Sequence, residues 1–310
     1  MTTKFRRFLS ASVVLSVAAL VSVSSAADAP DDTHRGRSSV YGNLSNGSLE
    51  AVSTPDAMLS LIKAPQSAAP TAIWTMLEHG ERVECMACIP YVSKMLYNSN
   101  AKTREISAWW LRRRIFGVFG KGEAYEQTVN AVSTGKTELT RAYAANALGE
   151  FLEGAGIEPV GGALLNDTSP MVRLAAANAL IRLNSQGLHS ELSTALADKD
   201  EEVRLAALNG VTHINVFSDV DRVVALISDP SAVVRRRAAQ TLGTLKSSDA
   251  VLGLIALTAP GTEGDAGVRA AAVWALGQIA DVQARGAVMA ATNDTDSGVR
   301  DAASVALYRL

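Results

Sequence analysis

The two cysteines of this sequence stand three residues apart, in Cys85-Met86-Ala87-Cys88. Four chemistries use such a pair. Covalent attachment of a c-type haem needs a histidine directly after the second cysteine, and Ile89 stands there instead. A structural metal site needs four ligands, and His79 is the nearest candidate for a third. Thiol–disulfide exchange is served by a thiol at a helix start, where its pKa falls, but no β-α-β pattern surrounds the pair. The remaining chemistry is a local disulfide formed after export, whose short loop stabilises weakly. We read Cys85 and Cys88 as this disulfide, with a redox or accessory role as the alternative. The four histidines, His34, His79, His189 and His213, are scattered. No glycine-rich phosphate loop, nucleophile elbow or paired-carboxylate signature is present, and Gly120-Lys121-Gly122 reads as an interhelical loop. The residues point to no cofactor and no metal, and lean away from catalysis.

The densest basic-aromatic cluster is Trp109-Trp110-Leu111-Arg112-Arg113-Arg114. With Lys102, Arg104 and Lys121 it would suit an acidic partner or lipid headgroups. It also suits the solvated face of a repeat. Helical register turns Trp110 and Leu111 inward and Trp109, Arg112 and Arg113 outward.

The elements that must carry these residues are helices. Of 310 residues, 48% are apolar, enough for a large core, and only 5% are aromatic, which favours close helix packing over a sheet. The formal charge of -2 excludes a generic basic nucleic-acid binder. Lys4, Arg6 and Arg7 precede an apolar run from Phe8 to Val23, then Ser24, Ser25, Ala26 and Ala27. This is the pattern of a cleaved signal peptide over 1–26, cut after Ala26 or Ala27. Cleavage takes the formal charge from -2 to -5, and a periplasmic or secreted protein is expected. Residues 27–55, with Pro30, Gly36, Gly42 and Gly47, read as a flexible leader. Residues 56–310 form the folded region.

One string recurs through that region: Val172-Arg173-Leu174-Ala175-Ala176-Ala177-Asn178-Ala179-Leu180. Its Val-Arg start returns at Val203, Val234, Val268 and Val299, at spacings of 31, 31, 34 and 31. Looser copies begin at Thr103 and Thr140. With the valine as position zero, position four holds Ser107, Ala144, Ala176, Ala207, Ala238, Ala272 and Ala303. Position eight holds Leu111, Leu148, Leu180, Val211, Leu242, Leu276 and Leu307. Position eleven is apolar in every copy but one, which has Arg114. Positions 0, 4, 8 and 11 share one helical face. A second amphipathic segment precedes each copy, joined by a polar turn with Asp167, Asp198, Asp229 or Asp294 six residues before the arginine. Such a period is that of stacked helical pairs.

The Val-Arg-x-x-Ala-Ala-x-Ala-Leu string resembles the HEAT-repeat family, in particular the HEAT-like repeats of phycobilisome lyases. The resemblance covers Thr103 to Leu310 and, more loosely, the chain back to Ala68. It implies an all-α, right-handed α-solenoid of about seven helical hairpins, serving as a scaffold for a partner. It also implies a ladder of the turn aspartates with the Val-Arg arginines between repeats: Asp167 with Arg173, Asp198 with Arg204, Asp229 with Arg235, Asp294 with Arg300. The Val268 copy departs, because Asp265 is only four residues before Arg269. HEAT-repeat hydroxylases carry repeated His-Glu pairs, whereas Glu78-His79 is single and reversed. A bilin lyase fits the repeat type but not the cysteine pair or the expected export.

The resemblance places the second helix of each pair on the concave side. Position six, ~240° around the helix from position zero at roughly 100° per residue, reads Trp109, Asn146, Asn178, Asn209, Gln240, Trp274 and Val305. Asparagine is a poor helix former, so four carboxamides in one stripe are unexpected for plain surface. With Arg113 and the neighbouring Glu150, Arg182, His213 and Gln278, the stripe is the candidate binding surface. It suits a protein, an extended peptide or a glycan; nucleic acid and stable membrane insertion are not expected. Self-association through the C-terminal helix is a further expectation, because that helix reaches Leu310 without a polar cap.

Overall fold

The computed structural model describes residues 54–63, 69–117, 121–183, 189–213 and 217–310. The expected signal peptide and leader lie outside them, apart from Thr54 and Pro55. All described residues belong to the unit Leu49–Leu310. The chain opens with α1 (Pro55–Lys63) and α2 (Pro70–His79). Seven helical hairpins follow: α3 (Ile89–Met95) with α4 (Ala101–Gly117), α5 (Gly122–Thr134) with α6 (Glu138–Phe151), and α7 (Ile157–Asn166) with α8 (Pro170–Leu183). Next come α9 (His189–Ala195) with α10 (Glu201–Val211), and α11 (Val220–Ala225) with α12 (Ala232–Leu245). The last are α13 (Val251–Leu257) with α14 (Ala266–Ile279), and α15 (Arg285–Ala291) with α16 (Ser297–Leu307). There is no strand among the described residues. The fold is an α-solenoid: second helices pack on second helices in one layer, and first helices form the other.

Side-chain caps mark the start of four second helices. Thr137 caps α6 by accepting the Thr140 N–H. Asp200, Asp265 and Asp296 do the same for α10, α14 and α16. Three second helices end on a residue in the left-handed region that is not glycine: Leu152, Lys246 and Ala280, at φ of 56°, 53° and 60°.

The repeating core follows the pattern read from the sequence. The valines at position zero and the six alanines at position four are fully buried. The alanines matter because they let the layers close without holes. Position eleven is less uniform. Phe151 is buried, but Leu183, Leu245 and Ile279 are half-buried, although all four are the last residues of their helices. Arg114, the misfit in that column, is buried for a different reason. Its Nη2 donates to the carbonyls of Gly80 at 2.8 Å, Val83 at 3.2 Å and, more closely, Glu81, and its guanidinium lies 3.9 Å from the Trp110 ring. It thus satisfies carbonyls left over where α2 ends. Burial, with repulsion from Arg113, lowers its pKa to about 10, and Glu84 offsets this in part.

The second helices approach to backbone contact through small residues at positions nine and seven. A Cβ on Gly149 would lie 2.8 Å from Ala179 Cα, one on Gly243 2.7 Å from Ala275 Cα, and one on Gly277 2.7 Å from Ala306 Cβ. Between α8 and α10 the sizes reverse, with Ile181 and Leu192 filling the space over Gly210.

Candidate binding surface

A binding surface on a solenoid is as well defined as the register between repeats, and here a ladder of ion pairs fixes that register. Arg141 donates from Nε and Nη2 to Asp167 at 2.6 and 3.0 Å, and Arg173 to Asp198 at 2.7 and 2.8 Å. Arg204 reaches Asp229 at 2.7 and 2.9 Å, and Arg269 reaches Asp294 at 2.8 Å on both prongs. The side-chain pairing therefore runs one repeat further along than the expected assignment. Each arginine grips the aspartate of the following repeat, while its Nη1 donates to the backbone carbonyl of its own turn residue, as Arg173 does to Asp167 O at 3.0 Å. The reason is reach: the turn aspartate points onward to the N–H two residues ahead, as to Ser169 and Asp200, and faces away from its own arginine.

The ladder also continues where the Val268 copy departs from pattern. Glu263, six residues before Arg269, receives Arg235 at 2.6 and 2.9 Å and the Asp265 N–H at 2.9 Å. The pairs are mostly shielded from water, and the Arg269–Asp294 pair is nearly dry, with Asp294 1% and Arg269 5% exposed. The Arg269 hydrogen bond lowers the Asp294 pKa to about 2, and the Arg235 bond holds Glu263 below its usual range. Sequence reading missed Glu263, although its offset of six was a usable signal.

On this frame the amide stripe faces outward. Asn146, Asn178 and Asn209 are exposed and Gln240 is half-buried. None of the four side-chain amides has a hydrogen-bond partner among the described residues, so they do not form a ladder of their own. Trp274 is 38% exposed and leans over Gly243, its Cζ3 lying 2.7 Å from where a Cβ on that glycine would be. Trp109 is half-buried and packs on the core. It presents less free ring than the sequence implied. Val305 closes the stripe, exposed.

The flanking residues at position ten are engaged, two pairs of them with one another. Arg182 Nη2 meets Glu150 at 2.5 Å, and Arg309 Nη1 donates to Gln278 at 2.5 Å. His213 Nδ1 lies 2.7 Å from the Asn209 carbonyl, and Arg113 pairs with Glu81. Burial raises the Glu150 pKa against the opposing pull of Arg182. Position ten is thus a polar rail beside a row of uncommitted amides.

The other sequence candidates lie elsewhere. Cys85 and Cys88 are joined as a disulfide, and both are buried, with Cys85 against the Pro55 carbonyl at the start of α1. A thiolate has no approach to these sulfurs without local opening. A groove of about 630 Å³ lies between first helices α5 and α7, lined by Val129, Val132, Pro159, Ala163 and others. It is in the other layer from the amide stripe. Among the described residues there is no group of three metal-ligating side chains, and no helix is long and apolar enough to cross a membrane.

These features meet in what is already known of other proteins. The family described as HEAT repeats matches residues 125–212, 189–262 and 220–308, and this chain belongs to that family. Among solved structures it is similar to YibA of Escherichia coli, at 17% identity and a TM-score of 0.51, over 80% of this chain and 100% of that one. It is also similar to Kap95p in its complex with RanGDP, at 17% identity and a TM-score of 0.57, over 81% of this chain and 38% of that one. A fainter likeness is to the CpcE–CpcF complex of phycocyanin lyase from Nostoc sp., at 20% identity and a TM-score of 0.38, over 71% of this chain and 86% of that one. These likenesses are of fold. No curated protein matches the sequence.

Proposed function

We propose that this protein is a non-enzymatic scaffold, exported to the periplasm or cell exterior, that holds an extended peptide or glycan along the amide stripe of its second helices. The observation that carries the reading is the row Asn146, Asn178 and Asn209, exposed and without hydrogen-bond partners among the described residues. A carboxamide offers both donors and an acceptor, matching a peptide backbone or sugar hydroxyls. Trp274 adds flat apolar area at one end of the row. With neighbouring helices ~10 Å apart, the stripe runs roughly 50–60 Å, which suits a ligand that is long and thin. The export part rests on the N-terminal pattern of Lys4, Arg6, Arg7 and the run to Ala26.

The test is a variant with Asn178, Asn209 and Gln240 changed to alanine. Partner capture from the cell envelope is expected to be lost with the melting temperature unchanged. A large fall in stability with capture per folded molecule preserved would remove the groove. Intact-mass analysis of the protein recovered from outside the cytoplasm addresses export. A start at Ala27 or Asp28 is expected, and a chain retaining Met1 would count against it.

A further inference from the structure

Arg104 occupies the ladder position of α4, yet the ladder has no carboxylate for it. The residue six before Arg141 is Gly135, which stands where Asp167, Asp198, Asp229, Glu263 and Asp294 stand in the later turns. The backbone contacts of this arginine are nonetheless those of the filled rungs. Arg104 Nη1 donates to the carbonyls of Asn98 at 2.7 Å and Ser99 at 2.9 Å. Arg173 makes the same two contacts, to Asp167 at 3.0 Å and Thr168 at 3.2 Å. The guanidinium is therefore held in the ladder orientation, with its Nε and Nη2 edge turned toward the next repeat. That edge has no acceptor among the described residues.

A second donor is in the same state. In the later turns the N–H two residues after the acidic residue donates to its carboxylate, at 2.8–2.9 Å for Ser169, Asp200, Ser231, Asp265 and Asp296. The equivalent N–H here belongs to Thr137, and it has no acceptor among the described residues. Gly135 is half-buried and Thr137 exposed, so the place is open to solvent.

Tyr143 completes the arrangement. It sits at position three of α6, where α8, α10, α14 and α16 carry Ala175, Ala206, Ala271 and Ala302. Its ring lies 3.9 Å from the Arg104 guanidinium carbon. Stacking covers a face of the guanidinium and leaves its in-plane edge for hydrogen bonds. Two carbonyls and a ring thus fix an arginine whose best partner is a carboxylate held by two parallel bonds.

We propose that this rung is a binding site for a guest carboxylate, received by Arg104 Nε and Nη2 and by the Thr137 N–H. Five filled rungs in the same molecule show the geometry that such a guest adopts. The receiving groups lie at the turn edge of the solenoid, with Arg104 five residues before Trp109 and Thr137 nine before Asn146, and do not depend on the amide stripe. The guest is a free small carboxylate, an acidic side chain of a partner, or a chain terminus.

The experiment follows the Arg104 Nε–H and Thr137 N–H resonances in the full chain. Three probes are added at constant ionic strength against sodium chloride: sodium acetate, a doubly capped peptide with one internal aspartate, and a peptide whose only carboxylate is its C-terminus. Saturable shifts of both resonances, with the paired Arg173 Nε–H unmoved, are expected, and the tightest probe identifies the source. Arg104→Lys keeps the charge but loses the planar edge, and should weaken the Thr137 response roughly tenfold. Gly135→Asp supplies the carboxylate internally and should abolish it. Should that variant misfold, because a Cβ there meets the Ala131 carbonyl at 2.7 Å, Arg104→Lys carries the test. The proposal is overturned by a linear response no larger than that of exposed Arg113, or by an unchanged Thr137 response in Arg104→Lys.

Discussion

Glu263 accepts both prongs of Arg235, at 2.6 and 2.9 Å, while its own carbonyl receives Arg269 Nη1 at 3.1 Å. One residue thereby ties two successive repeats together, through its side chain to the preceding repeat and through its carbonyl within its own. It does so in the one turn lengthened by three residues, because the longer glutamate arm spans the altered loop. Asp265, the acidic residue nearer to Arg269, caps α14 through Val268 N–H at 2.9 Å, as Asp200 and Asp296 cap their helices from the same offset.

This division of labour predicts unequal costs. Glu263→Ala leaves the part-buried Arg235 without its partner and should cost roughly 2–3 kcal/mol. Asp265→Ala removes only a helix cap and should cost about 1 kcal/mol. Urea unfolding of the two variants measures the difference, and equal losses would contradict the assignment.

Acid should unpick the ladder. The Asp294 pKa is lowered to about 2 by Arg269, from 3.8. A carboxylate with a depressed folded-state pKa lends stability above its unfolded pKa and loses it as pH falls toward the folded value. Asp294 alone should withdraw roughly 2 kcal/mol between about pH 4 and pH 2. Glu150, raised by burial, works in the opposite direction over the carboxylate range. Denaturation followed from pH 5 to pH 2.5 should show a steep loss, and Arg269→Gln should flatten it.

Two glycines should respond to alanine with opposite signs. Gly277→Ala places a methyl group 2.7 Å from Ala306 Cβ and 2.8 Å from its Cα, and should cost on the order of 1–3 kcal/mol. Gly162, inside α7, has nothing within 4 Å of its added Cβ. Gly162→Ala should gain roughly 0.5–1 kcal/mol through helix propensity. Melting temperatures of the pair provide the check.

Ala280 ends α14 at φ 60°, a region in which a Cβ is penalised. Ala280→Gly should raise stability by roughly 0.5–1 kcal/mol. An unchanged or lower melting temperature would show that the Cβ makes compensating contacts.

The family, the helix pairs and the buried face were legible in the sequence because they repeat. Val172, Ala176 and Leu180 recur at a fixed interval, and a period averages away local accident. The exposed row at Asn146, Asn178 and Asn209 was legible for the same reason. Less legible was anything decided between repeats. Which aspartate Arg173 grips depends on whether the turn carboxylate points forward or back, and spacing alone does not encode that. Arg114 looked like an error in an apolar column because its purpose, the carbonyls of Gly80 to Val83, lies in a segment without the repeat. Trp109 was read as outward from its angle on the helix, but the neighbouring core covers much of the ring.

The alternation of glycine and larger residues at the contacts between second helices has a mechanical consequence. Where Gly149, Gly243 and Gly277 bring backbone against backbone, the spacing resists change, because a main chain has no rotamers with which to yield. Where Ile181 and Leu192 fill the space over Gly210, a side chain can turn and the gap can breathe. The solenoid is thus a spring of unequal coils, stiff at α6–α8 and α12–α16 and compliant around α10. A pull along its length would be taken up around α10, beneath Asn209, before the backbone contacts at Gly149, Gly243 and Gly277 gave way.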